Sequence, residues 1–143
     1  LFAQAGVIRA TGIADFFAHK IIATMGDSPR FLSGMVLFSG GILSSVLDNV
    51  VTVASYIPVV KSLGTAHINL KPLWWSLLFG ACYGGNITMI GSTANIVALG
   101  LLEKEQNIKV NFYQWFKLGL PLGIVSLVVA FMAIVLMFGY FEV

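Results

Sequence analysis

In an otherwise apolar chain, the residues able to do chemistry fall in two short clusters. The first is LDNVVT, where Asp48, Asn49 and Thr52 interrupt a run of aliphatic side chains. The second is GGNITMIGSTAN, where Asn86, Thr88, Ser92, Thr93 and Asn95 are interspersed with Gly84, Gly85 and Gly91. Hydroxyl, amide and carboxylate oxygens are the ligands of hard cations, and unpaired amides at a helix start hold anions. A carboxylate in an apolar setting is costly and serves as a proton or cation carrier. The expected ion- or substrate-binding set is therefore Asp48, Asn49, Thr52, Gly85, Asn86, Thr88, Ser92, Thr93 and Asn95. Asp48 is the expected coupling group for protons or cations. Asn49, Asn86 and Thr88 are the expected sodium ligands, and the amides of Ser92 to Asn95 suit an anion. A simpler reading stands beside each. Asp48 caps a helix or pairs with a lysine, Asn49 and Asn95 satisfy broken helix ends, and Gly84, Gly85 and Gly91 permit the break.

Composition sets the solvent in which these groups sit. Of 143 residues, 58% are hydrophobic and 10% charged, and the mean hydropathy is +0.93. That is far too apolar for a soluble domain of this size, so the chain is expected to be an integral, multi-pass membrane protein of an inner or plasma membrane. A net charge of +2 reads as Lys and Arg flanking helix ends, not as a nucleic-acid surface. The single Cys82 excludes a disulfide framework and thiolate zinc sites. The opening LFAQAG carries neither an initiator Met nor a signal peptide, so the chain is expected to be a piece of a longer protein.

Islands of charge divide the sequence into membrane-sized units. Residues 1–26 place Val7, Ile8, Ile13, Phe16, Phe17, Ile21 and Ile22 on one helical face, with Arg9, Asp15, His19 and Lys20 opposite, which predicts an interfacial helix. After GDSPR, residues 31–63 form an apolar stretch split at Asp48 and Asn49. As one helix its 33 residues would measure about 50 Å, well over the ~30 Å of a bilayer core. Its two arms, of 17 and 14 residues, are too short for two spans of ~20. A re-entrant helical hairpin with its tip inside the membrane satisfies both lengths. Residues 72–102 repeat the problem, with WWSLLFGACY and ANIVALGLL as half-helices around GGNITMIGST, and predict a discontinuous transmembrane helix. Residues 112–140 read as a terminal span, closely packed or bent at GLPLG. The fold class is thus an all-α membrane protein.

Other function classes fit poorly. An enzyme is not expected, because no second aspartate, HExxH or Ser/His pair accompanies Asp48 at depth. A non-transporting assembly subunit would use the GxxxG pairs Gly80/Gly84 and Gly119/Gly123, but has no need of a polar break and an Asp-Asn tip. A channel would need a symmetric ring of pore linings. Counting basic residues, Arg9, Lys20, Arg30, Lys61 and Lys71 fall on one face, and Lys104, Lys109 and Lys117 on the other, which points the first face to the cytoplasm.

LSSVLDNVVTVASYIPVV, followed by GGNITMIGSTANIVALGLLEKE and WFKLGLPLGIVSL, resembles the C-terminal repeat of the ion transporter superfamily. Within it the likeness is to the arsenite permease, NhaD-type sodium/proton antiporter and melanosomal P protein branch. The resemblance spans essentially the whole chain. It implies one half of an inverted-repeat secondary transporter, coupled to a Na+ or H+ gradient and carrying an ion or small anion. A sodium-coupled dicarboxylate or inorganic anion symporter is the alternative, although that branch typically has a serine where this chain has Asp48. Such a repeat would put its hairpin mouth outside, opposite to the charge count. The partners expected are the lipid bilayer, the upstream half of the same transporter, a second copy in a homodimer, and the small ion or anion. No cofactor is expected beyond Na+ or H+ as coupling ion.

Overall fold

The computed structural model describes residues 28–63 and 69–137, and within them all the regular secondary structure is helical. The interfacial helix expected over 1–26 and the last residues of the terminal span lie outside the described residues. Five helices follow in order: α1 (Pro29–Ser44), α2 (Asn49–Leu63), α3 (Lys71–Gly84), α4 (Thr93–Gln106) and α5 (Phe112–Leu136). Their ends obey local rules. Proline opens the first turn of α1 and α3, where its missing N–H costs nothing. Asn111 and Gln114 form a reciprocal capping box at the start of α5. Asn107 ends α4 in the left-handed region, at φ 58°.

α1 and α2 fold back on each other through a four-residue turn, 45–48. Leu32 and Val36 near the start of α1 pack with Val60 and Leu63 at the end of α2, and Tyr56 donates a 2.9 Å hydrogen bond to Ser39 Oγ. α3 runs parallel to α1 in nearly backbone-to-backbone contact. A Cβ added at Gly80 would lie 2.5 Å from Leu37 O, and one at Gly84 would strike the Gly41 backbone. The register is constant: Gly80 meets Leu37, Gly84 meets Gly41, and Thr88 reaches Ser45 at the same 43-residue offset. The next step back brings Ser76 level with Ser33, both fully buried. Small residues at every fourth position permit this approach, and in lipid such close packing, rather than burial of apolar surface, holds helices together.

α5 returns antiparallel to α1. Leu127 lies over Gly41, and Phe131 lies over Gly34, with its ring 5.9 Å from Phe38. Leu37, Ile87, Leu127, Ala130 and Ile134 form a second core. At 25 residues α5 is about 37 Å long and is the one helix among the described residues apolar and long enough to cross a bilayer. α4 differs from the rest: none of its residues is buried. The bundle of α1, α2, α3 and α5 thus brings the 45–48 turn and the 85–92 break to one level, with α4 leading away from it.

Candidate functional site

Each half of the site is a helix end. The α1–α2 turn leaves carbonyls of α1 and amides of α2 without helical partners, and the α3–α4 break does the same. The structure satisfies them by crossing the two gaps. Asp48 Oδ1 accepts from Val50 N–H at 2.9 Å, capping α2. Its other oxygen accepts from Thr93 N–H at 3.1 Å and from Thr93 Oγ1 at 2.6 Å. One carboxylate therefore caps two helices whose starts, Asn49 and Thr93, lie 44 residues apart. Ser92, the local residue placed to cap α4, makes no side-chain cap bond.

Asn49 fills the space between the turn and the break. With its amide nitrogen turned to the surrounding acceptors, it donates to Gly91 O at 3.1 Å and to Ser44 Oγ at 2.6 Å. The Ser44 hydroxyl donates onward to Ala81 O at 2.7 Å. The Asn49 side chain occupies the place a Cβ at Gly85 would need, and a Cβ at Gly91 would lie 2.7 Å from both Gly85 O and Ser44 O. Both glycines are therefore required by close approach. Thr88 Oγ1 donates to Ser45 O and accepts from Gly91 N–H at 3.1 Å. Asn95 closes the break from beneath, donating to Gly85 O at 3.0 Å and Thr88 O at 3.3 Å.

α5 braces the far side. Trp115 Nε1 donates to Asn86 O at 3.2 Å, and a Cβ at Gly119 would lie 2.7 Å from Ile87 O, so GLPLG is a close-packing surface for the break. Two cavities flank the interlock. One, of about 590 Å³, lies between break and α5 and is lined by Asn86, Asn95, Gln114, Trp115 and Ser126, among others. The other, of about 360 Å³, lies between α2 and α3 and is lined by Asn49, Val53, Ala54, Ile57 and Cys82, among others.

A family profile described as citrate transporter (CitMHS) matches residues 1–142. The chain belongs to this family. Among relatives of this CitMHS chain, an uncharacterized transporter of Synechocystis sp., slr0753, is 30% identical over 147 residues, covering 91% of this chain and 32% of the relative. The uncharacterized transporter Rv2684 of Mycobacterium tuberculosis is 30% identical over 145 residues, 99% of this chain and 33% of its own length. The P protein of Homo sapiens is 34% identical over 111 residues, 74% of this chain and 13% of that protein. The chain thus spans about a third of the length of these two transporters. It is an integral membrane protein of a transporter family.

Within this CitMHS chain the residues singled out from sequence do not form one shell. Asp48 and Thr93 bond directly, and Asn49 meets Gly91 and Gly85. Asn95 spans Gly85 and Thr88. The three expected sodium ligands are dispersed: Asn49 lines the α2–α3 cavity, Asn86 lines the α5 cavity, and the Thr88 hydroxyl is taken up by Ser45 and Gly91. Thr52 is fully buried, and its hydroxyl has no hydrogen-bond partner among the described residues. Of the Ser92–Asn95 amides, that of Thr93 is bonded to Asp48 and that of Asn95 to Ser92 O. Ser44, Ser45 and Trp115 complete the site and are absent from the expected binding set, as is Gly119, which the sequence marks only as a close-packing residue. The Ser-Ser pair just before an Asp-Asn tip was a readable signal for the first two, whereas nothing local marks Trp115.

Proposed function

We propose that the parent protein is a secondary active transporter of a small ion, driven by a Na+ or H+ gradient, and that the 45–49 tip and 85–95 break are its ion-binding unit. In this reading α1 and α2 form a re-entrant hairpin, α3 and α4 one discontinuous transmembrane helix, and the chain is one of two inverted repeats. The observation that carries it is the reciprocal hydrogen bonding of tip and break, centred on Asp48 and Asn49. Non-helical backbone at bilayer depth is tolerated where it is buried in protein or lines a wet cavity, and transporters place substrate sites at such half-helix ends. A cavity of about 590 Å³ against the break is large enough for a hydrated ion or a small organic anion. The family description supports a second reading, symport of citrate or a related carboxylate.

The test uses the full-length protein in liposomes with imposed Na+ and pH gradients. Gradient-dependent uptake is expected, and Asp48→Asn, which keeps the size of the tip and removes its charge, is expected to abolish the coupling while the protein still inserts. Wild-type vesicles showing no gradient-dependent flux of any cation or carboxylate would end the transport reading. Unchanged coupling in Asp48→Asn would move the ion site to the neutral ligands Asn49, Asn86 and Asn95.

A further inference from the structure

We propose that Ser33 and Ser76 hold one buried water molecule between α1 and α3, and that this shared water pins the two helices together at the end of their seam remote from the tip and break. The constant 43-residue offset that sets Gly80 on Leu37 and Gly84 on Gly41 brings Ser76 to Ser33. Both side chains are fully buried, and neither hydroxyl has a hydrogen-bond partner among the described residues. A serine inside a helix can donate to the carbonyl four residues back, as Ser39, Ser55 and Ser62 do to Met35, Val51 and Pro58. Ser33 and Ser76 depart from that pattern, and they do so at the same level on facing helices.

Two stranded hydroxyls in one place call for a common partner. A buried hydroxyl left without a hydrogen bond costs about 1–3 kcal/mol, and a water held in a protein interior needs roughly two to four polar neighbours. Each serine offers one donor and an acceptor oxygen. The neighbouring Leu32, Val36, Leu73 and Leu77 form a buried apolar cluster, so bulk water does not reach either hydroxyl. The seam also has room at this step. A Cβ at Gly80 would lie 2.5 Å from Leu37 O, so the serine step, where both helices carry a Cβ and a hydroxyl, must stand wider open than the glycine steps. Ser33 lies about 16 Å along α1 from Ser44. The water and the tip–break interlock therefore fasten α1 to α3 at opposite ends, and the two helices move as one body.

A mutant cycle on the full-length protein in detergent tests this. Ser33→Ala and Ser76→Ala each strand the water and the opposite hydroxyl, and each is expected to melt about 2 °C below wild type. The double alanine variant removes both partners together and should melt within about 1 °C of wild type, well short of the summed losses. Ser33→Ala combined with Ser76→Val fills the volume the water leaves and should melt no lower than the double alanine variant. Additive behaviour in the cycle, including no loss in either single variant, would show that each hydroxyl is satisfied within its own helix and would overturn the shared site. A valine variant that melts below the double alanine one would show a seam closed at this step, and would overturn the water. Both readings come from melting alone, so they stand or fall independently of transport.

Discussion

Gly85 is the glycine of the break most closely opposed by a side chain. Its backbone sits at φ −60°, which any residue adopts, so the constraint is space alone: the Asn49 side chain occupies the position of its missing Cβ, and Gly91 O lies 3.1 Å from it. Gly85→Ala must push Asn49 out of its hydrogen bonds to Gly91 and Ser44, an overpacking that costs about 1–3 kcal/mol and leaves buried polar groups unpaired. Liposomes holding Gly85→Ala should show strongly reduced flux with normal insertion, and the double change Gly85→Leu, Gly91→Leu none. Normal flux in the double variant would separate the break from substrate binding. At this scale the sequence marks out the polar side chains in an apolar run, which are costly in lipid, and the glycines there, which serve close packing or a break. It was silent about their pairing. Ser92 precedes α4 and looks like its cap, yet Asp48 takes that place through a contact 45 residues away, and only the fold brings those residues together.

Elements are held by the parallel seam of α1 and α3. Four-residue spacing made the Gly80/Gly84 pair visible in the sequence, but not its partner, because small residues at 33, 41 and 44 of α1 compete with Gly119/Gly123 of α5 for the same role. The structure gives Gly80 and Gly84 to Leu37 and Gly41, and Gly119 and Gly123 to the break around Ile87. This predicts a contrast on one seam. Gly84→Ala drives a methyl into the Gly41 backbone, which cannot move aside, and should lower the melting temperature of the full-length protein in detergent. Gly40→Ala meets only Leu77 Cδ1 at 3.8 Å, an ordinary contact, and gains up to about 1 kcal/mol of helix propensity, so it should melt at or above wild type. Equal losses from both would mean that α1 and α3 do not meet at Gly84. α4, with no buried residue, contributes nothing to this seam. Its exposed Ile96, Val97 and Leu101 fit a chain that spans only a third of related transporters.

At the scale of the whole molecule the decisive quantity is length against bilayer thickness. α1 with 16 residues and α2 with 15 are each about 23 Å long, short of the ~30 Å hydrocarbon core, while α5 exceeds it. Because α2 packs back along α1, with Val60 and Leu63 beside Leu32 and Val36, Arg30 and Lys61 come to the same end of the bundle. α3 starts at that end too, being parallel to α1. Beyond the break, α4 carries the chain away from the tip toward Glu103, whose 3.0 Å ion pair with Lys109 joins it to the approach to α5. In the proposed re-entrant reading this packing places positions 30 and 61 on one side of the membrane and 103 on the other, although the chain's basic residues and its family resemblance give opposite absolute orientations. Single cysteines at 30, 61 and 103, in a full-length background with the exposed Cys82 replaced by serine, test this with an impermeant maleimide on sealed vesicles. Arg30→Cys and Lys61→Cys should label from one face and Glu103→Cys from the other. Labelling of positions 30 and 61 from opposite faces would turn the hairpin into two spans, and would carry Asp48 and Asn49 out of the membrane interior on which their roles depend.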